Sequence, residues 1–531
     1  MSTLLKSNAT VAVGTALSRI TGLVRVSVLG IVLGQSALTD AYNQANGTPN
    51  MVYELVLGGV LSASLVPLFT RLKEDNDRQG TQAVISVAAL GMAVLTAIAV
   101  LAAPLIFRLY SLVTSATVDG AQYRAVGTAL SRIFLIQIFF YGLNALGGAA
   151  LNARRRFFAA AWTPALSNLI IIASLLAVPR TVDGRLPVLD DVLTNSSLRW
   201  TLGLGATFGI ATMALGLIPA MIRADVPLSF RPDFRHPAVA KLRSLSGWAF
   251  GYVIANQVAL IVVQNLLIRS GEGGKTAYTN AFTWFVLPHG LLAVSIATTF
   301  VPEMASAVKR RDKAALINRT SLGIRLIAMC TMPAAFGLFV LRRAVVGAAF
   351  QHGRFTEADA LLTSRALGGL ALGLAGFSTY LFILRAFYAH QDARTPFVIN
   401  VFENLINVIL AIALVDRFGV LGLGVSFAVA YVLSSLWALQ ILSMKVPGFP
   451  VRTVLASLWR TTLASVIMAE VVWLVARHVG ANVGSGAFVR TITGAIVGTC
   501  TYLVVLRLLG STEIHDFIQR LRPSRAVSTA K

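Results

Sequence analysis

Apolar and polar positions along this chain do not alternate with the period of a soluble helix or strand. They fall into long, nearly uncharged stretches separated by short charged segments. Stretches of about 20 residues match the hydrocarbon thickness of a bilayer and predict membrane-spanning helices. Fourteen spans are predicted, at 8–34, 41–70, 82–109, 128–153, 158–179, 200–222, 244–268, 276–306, 320–341, 364–388, 396–415, 418–444, 454–476 and 486–509. Charges mark their ends: the intervals Arg243 to Arg269, Lys275 to Glu303 and Arg417 to Lys445 contain none. Arg19 and Arg25 interrupt the first stretch, which therefore reads as a working helix and not as a cleavable signal.

Short patterns recur in order along the chain. Leu-Val-Pro-Leu-Phe around Pro67 returns as Phe-Val-Pro-Glu-Met around Pro302, Leu-Ser-Arg at 130–132 as Thr-Ser-Arg at 363–365, and Thr-Pro at 163–164 as Thr-Pro at 395–396. The offsets are 235, 233 and 232 residues. Proline is favoured in a helix's first turn, which explains each Thr-Pro but not the common spacing. The expected architecture is all-α, with two pseudo-symmetric six-helix lobes at 1–225 and 226–446. Two extra helices at 447–510 and a basic tail at 511–531 complete the chain. Two such lobes suit alternating access about a central site.

Composition narrows the class. With 56% hydrophobic and 13% charged residues and a mean hydropathy of +0.74, the chain is too apolar for a soluble enzyme. The net charge of +23 is not a nucleic-acid face, because Lys and Arg punctuate apolar segments. The even-numbered connections hold 19 of them against 12 in the odd-numbered ones, which places both termini in the cytoplasm. Cys330 and Cys500 lie in apolar runs, and the six histidines form no ligand-spaced cluster, so neither a disulfide framework nor a metal site is expected. A membrane-embedded glycan polymerase would need a catalytic acid on a substantial external loop, for which Asp190 and Asp191 are a thin case. Transport fits better than covalent catalysis.

Ionisable groups inside a span cost roughly 2.5–3.5 kcal/mol each on insertion scales and mark functional positions by default. Arg25 lies too deep in the first helix to share a headgroup layer with Lys6 and is expected to face a cavity, whereas Arg19 can snorkel. Asp40 starts the second span, where it can cap that helix or close an outer gate with a cationic partner. Below it come Asn43, Gln44, Asn46, Asn50 and Glu54, a helix too polar to face lipid, with a kink expected at Pro49. In the eleventh span Asn400, Glu403, Asn404 and Asn407 share one stripe at i, i+3, i+4 and i+7. These are oxygen ligands suited to Na⁺ or a proton relay, with Asn256 and Gln257 of the seventh span as further members of the shell. The alternative is an interhelical hydrogen-bond seam. His289 reads as structural.

SRITGLVR at 18–25, TDAY at 39–42, TPN at 48–50, FQHGRFTEADALLTSRAL at 350–367 and FYAHQDARTP at 387–396 together resemble the MurJ/MviN family of lipid II flippases, over roughly residues 5–510. That resemblance implies a transporter of the bacterial cytoplasmic membrane that moves undecaprenyl-pyrophosphate-linked disaccharide-pentapeptide from the inner to the outer leaflet. It also implies a cationic cavity in the N-terminal lobe, a lipid-tail groove at the two extra helices, and dependence on membrane potential, Na⁺ or H⁺. Cell-wall synthesis proteins are its implied partners beyond lipid II and membrane lipids. By motif, Arg19, Arg25 and Asp40 fall at functional positions, and Asn46, Asn50 and Glu54 extend the expected substrate-binding set. The chain departs from the family where paired arginines are expected, at Tyr53 and Glu54, and at Thr283 in the eighth span. These departures keep open another polyprenyl-linked glycan, or an amphipathic small molecule, as cargo.

Overall fold

The computed structural model describes residues 2–54, 61–390 and 392–511, with side chains placed outside 2–12, 61–64 and 242–255. The expected middle of the second span and the basic tail with Arg520, Arg522, Arg525 and Lys531 lie outside the described residues, as do the side chains of Lys6 and Arg243. Described residues are helical or lie in short connections. In chain order the helices are α1 (Ser2–Leu33), α2 (Ala37–Tyr53), α3 (Leu61–Glu74), α4 (Arg78–Leu101), α5 (Ala103–Leu109), α6 (Gly120–Phe134) and α7 (Gln137–Ala153). There follow α8 (Phe158–Thr181), α9 (Leu189–Thr194), α10 (Ser196–Leu215), α11 (Ile218–Arg223), α12 (Pro237–Arg269), α13 (Gly274–Pro288) and, after a π-turn at His289–Ala293, α14 (Val294–Lys309). The last seven are α15 (Lys313–Phe350), α16 (Glu357–Ala371), α17 (Leu374–Ala389), α18 (Arg394–Phe418), α19 (Val420–Lys445), α20 (Val451–His478) and α21 (Gly484–Leu508).

Among the described residues, eleven helical stretches are long and apolar enough to cross a membrane, or twelve if α16 and α17, bent by 45°, form one span. The first, second and seventh expected spans include residues or side chains outside the described set. Leu101, Leu105, Phe208, Ile496 and Leu508 are exposed, as lipid-facing side chains should be. Several predicted spans are broken rather than continuous. The third breaks at Ala102, where Pro104 opens the first turn of α5, and the sixth breaks before Pro219 of α11. Proline lacks the N–H that would continue the ladder, so each break falls where a new first turn can absorb it. Pro49, where a kink was expected, leaves α2 helical from Ala37 to Tyr53. α15, with 38 residues, is far longer than a bilayer requires and carries the charged run Lys313–Arg325 at one end.

The chain forms two compact units. The first comprises Met1–Thr279 with Phe350–Asp359. There α1 packs on α8 and α8 on α10. Small residues permit the approach: a Cβ on Gly14 would stand 2.6 Å from the Trp162 indole nitrogen. Asn168 fixes the register of this pair by donating to the Ser18 carbonyl and the Thr21 hydroxyl, both at 3.1 Å. One apolar cluster gathers Leu33, Leu38, Tyr42, Phe107, Tyr123 and Phe134, and a second gathers Leu65, Phe69, Leu146 and Met221. The FQHGRF segment belongs to this unit, with Arg354 donating its backbone N–H to Ile31 at 3.2 Å and its guanidinium to the Gly184 carbonyl.

The second unit comprises Asn280–Ala349 with Ala360–Lys531. Its interior holds a run of ring contacts among Phe285, Phe377, Phe427 and Tyr431, with centroids 4.5–5.8 Å apart. His289 sits against Phe377 and shares a 3.0 Å hydrogen bond with Ser378 Oγ, a structural position. The two extra helices α20 and α21 pair with one another, and the Tyr502 hydroxyl donates to the Met329 carbonyl at 2.7 Å.

Candidate functional site

In the first unit the polar face of α2 divides into an engaged end and a more open end. Asp40 was expected to cap its own helix or to close an outer gate, and the geometry corrects the first of these. Ser36 caps α2, its hydroxyl accepting the Thr39 N–H at 3.3 Å. Asp40 is buried and caps a different helix: Oδ2 accepts the Gly273 N–H at 2.8 Å, and Oδ1 accepts the Thr276 N–H at 2.8 Å and hydroxyl at 2.7 Å. Both carboxylate oxygens are committed to the start of α13, where the free N–H groups of a first helical turn favour an anion. Glu272 returns the contact, its Oε1 accepting the Ala37 N–H at 3.1 Å. Asn43 joins in by donating to Thr276 Oγ at 3.0 Å.

Lys275, a buried residue that donates to the Gln264 side chain, lies within electrostatic reach of Asp40. Sequence reading missed Glu272 and Lys275 as members of this contact. The repeat held the signal, since Ala37 and Glu272 stand 235 positions apart.

Towards the other end of α2 the side chains are less constrained. Asn46 Oδ1 accepts from Gln137 Nε2 of α7 at 3.3 Å, and Asn50 donates to Glu54 at 3.1 Å on an exposed face. Gln44 is fully buried, and among the described residues neither end of its amide is hydrogen-bonded. Tyr53, in the place of an expected arginine, rests against Tyr141 with ring centroids 6.0 Å apart. Arg25 of α1 is half-buried within electrostatic reach of Tyr42 and Tyr141, and among the described residues it forms no ion pair. Arg19 is exposed, as a snorkelling side chain would be.

The members of the expected ion shell fall in both units. In the second unit Glu403 is buried and Asn400 nearly so, and among the described residues no hydrogen bond reaches the Glu403 carboxyl. Asn404 Nδ2 donates to the Asn400 carbonyl at 2.9 Å and side-chain oxygen at 3.2 Å, and Asn407 Oδ1 accepts from Ser426 of α19 at 3.1 Å. Gln257 belongs to the first unit, where Oε1 accepts from the Tyr110 hydroxyl at 3.4 Å and Nε2 donates to the Met51 carbonyl at 3.2 Å. These bonds tie the ends of α5 and α2 to α12. Asn256, beside it on the same helix, is half-buried in that unit. Thr283 is half-buried in α13.

The loop acids are structural. Arg185 forms a bidentate pair with Asp191, one arm at 2.7 Å, and holds that carboxyl below the usual range, assisted by the Val188 N–H. Burial alone would raise Asp392. The Lys445 ammonium and the N–H and hydroxyl of Thr395 outweigh it and bring the carboxyl to about 2. Among the described residues no group of three or more His, Cys, Asp or Glu is placed to hold a metal.

Long apolar helices, several of them broken, with an arginine inside one span and a buried carboxyl in another, place the chain among polytopic membrane proteins. A family description, lipid II flippase MurJ, matches residues 30–494, and the chain belongs to that family. It is 26% identical over 431 residues to the lipid II flippase MurJ of Burkholderia cenocepacia, covering 80% of this chain and 81% of that one. It is 25% identical to a probable lipid II flippase MurJ of Vibrio cholerae, covering 96% of each. The fold is similar to a solved lipid II flippase MurJ in an inward closed conformation, with a TM-score of 0.76 at 23% identity over 96% of this chain and 99% of that one. An inward-facing multidrug transporter of the MATE family is more distant, with a TM-score of 0.66 at 13% identity over 81% and 95% of the two chains. The chain is therefore a multi-pass inner-membrane transporter that makes and breaks no covalent bond.

Proposed function

We propose that this protein is a lipid II flippase, carrying the undecaprenyl-pyrophosphate-linked peptidoglycan precursor from the inner to the outer leaflet by alternating access, with both termini cytoplasmic. The observation that carries the reading is Arg25: a half-buried guanidinium inside a span, in the SRITGLVR pattern, with no ion pair among the described residues. An arginine in that setting needs an anion, and its planar donor fork suits a pyrophosphate. Lowering the barrier for a charged headgroup is the whole task, and a desolvated cation supplies electrostatic stabilisation where water is scarce. The sequence repeat, with lobes at 1–225 and 226–446, gives the two bodies that would rock.

In this reading the headgroup is held by fewer cations, because Tyr53 and Glu54 stand where paired arginines are expected, and the Asn46 and Asn50 amides of α2 supply neutral contacts. Asp40, Ala37 and Glu272 form a contact that must open for external release. The Asn400, Glu403, Asn404 and Asn407 stripe serves the coupling cation, Na⁺ or H⁺, because a buried carboxyl beside amide oxygens is a hard-ligand set. The test is complementation of a conditional lipid II flippase mutant, with lipid II in the outer leaflet as the readout. Rescue with restored external lipid II supports the assignment. Failure with normal membrane expression turns it towards another polyprenyl-linked glycan.

A further inference from the structure

A second arginine cluster lies away from Arg25, in the hairpin that joins α5 to α6 at the end read as external. A cavity of about 630 Å³ opens there, lined by Pro104, Arg108, Ser111, Arg124, Thr128 and Arg132. Three of its walls come from one helical stripe, since Arg124, Thr128 and Arg132 follow at i, i+4 and i+8 along α6. Ala125 and Ala129 also line it, and their small side chains leave the space open.

Local helix chemistry places each of the three cations without giving any of them a counter-charge. Arg108 stands in the last turn of α5 and Arg132, an exposed residue, in the last turn of α6, where a positive charge complements the helix dipole, and Arg124 donates to the Ser111 carbonyl at 3.4 Å. No carboxylate among the described residues forms an ion pair with any of the three. Asp119, the acid at the mouth of the hairpin, is spent on its own helix, accepting the Ala121 and Gln122 N–H groups at 2.8 and 3.3 Å. Three like charges around one cavity repel unless an anion lies between them, and the external side of a membrane protein is where arginines are otherwise scarce.

We propose that this cavity binds the phosphate of a lipid headgroup in the external leaflet. Guanidinium forks match phosphate oxygens, and a cation ladder running from the aqueous hairpin to hydrocarbon depth fits an anion that carries its own tail. Two lipid sources share this chemistry, a bilayer phospholipid such as phosphatidylglycerol and a polyprenyl phosphate carrier.

The test uses the full chain in vesicles containing a photoactivatable phosphatidylglycerol, with labelled peptides mapped by mass spectrometry. Labelling within 104–132 is expected, and a phosphatidylcholine probe should label that stretch far less. Arg132→Gln and Arg124→Gln should each lower it about tenfold, the loss expected for one charge-assisted contact. Labelling near the cytoplasmic Arg154–Arg156 should be unchanged in both, which shows that the variants are folded. Competition then separates the sources: undecaprenyl phosphate displacing the probe at lower concentration than phosphatidylglycerol assigns the carrier, and the reverse assigns the bilayer lipid. Equal labelling by both probes, or undiminished labelling in the variants, overturns the proposal. Displacement by inorganic pyrophosphate in the aqueous phase overturns the lipid assignment.

Discussion

Asp40 on α2 accepts the backbone N–H of Thr276 on α13 at 2.8 Å, and Glu272, just before α13, accepts the backbone N–H of Ala37 on α2 at 3.1 Å. Each helix start is capped by an acid from the other's neighbourhood. Because Ala37 and Glu272 are separated by the repeat offset of 235, the contact joins corresponding points of the two halves of the sequence.

Removing this contact should loosen the start of α13. Loss of a capping carboxylate costs about 1–2 kcal/mol, more when the N–H groups it serves are left buried. Asp40→Ala is therefore expected to lower the thermal midpoint of the purified protein more than Asp40→Asn, which keeps an acceptor. Glu272→Gln should have the smallest effect. Equal midpoints for Asp40→Ala and the parent chain would remove the cap from the account.

Arg25→Ala should abolish rescue of a flippase-depleted strain while the protein still reaches the membrane at normal level. Arg25→Lys should rescue partially, since the charge remains but the two-pronged donor is lost. Arg19→Ala, at an exposed position, should rescue at least as well as Arg25→Lys. Normal rescue by Arg25→Ala would place the headgroup elsewhere.

Glu403→Gln keeps shape and hydrogen-bonding capacity but removes the carboxylate. External lipid II should then no longer respond to a change of Na⁺ or pH, while rescue at high expression persists. A variant as cation-responsive as the parent chain would assign the α18 stripe to helix packing alone.

Gly424 of α19 lies against α16. A Cβ there would stand 2.9 Å from the Ala366 carbonyl oxygen and the Leu370 nitrogen, both backbone atoms that cannot rotate away. Gly424→Ala is expected to cost about 1–3 kcal/mol through overpacking and to shorten the half-life of the protein in detergent at raised temperature.

Asp392, held at about 2, is ionised in the folded protein wherever an ordinary aspartate is. Its contribution is therefore complete above about pH 4 and fades as the pH falls through about 2. The pair with Lys445 is partly exposed, with side-chain accessibilities of 22% and 50%. Solvent screening limits it to less than about 1 kcal/mol. Asp392→Asn should lower the midpoint slightly at neutral pH, and the gap to the parent chain should close on acidification. A gap that persists at low pH would point to the amide's own hydrogen bonds instead.

The sequence by itself determined the spans, the repeat and the family. Each follows from local, one-dimensional physics: a hydrocarbon layer demands long uncharged runs, charges mark their ends, and duplicated segments keep their spacing. Arg25 was legible for the same reason, because a charge inside an apolar run has no bland explanation. Only the tertiary structure decided which groups meet. Asp40 reads as a cap for its own helix until α13 is brought beside it, and nothing in the spacing along the chain shows that Gln257 bonds to Tyr110 and Met51. The arginines at 108, 124 and 132 look like separate loop and helix charges until α5 folds back on α6. Hydrogen bonds and cavities depend on distances across hundreds of residues, and packing sets those distances rather than spacing along the chain.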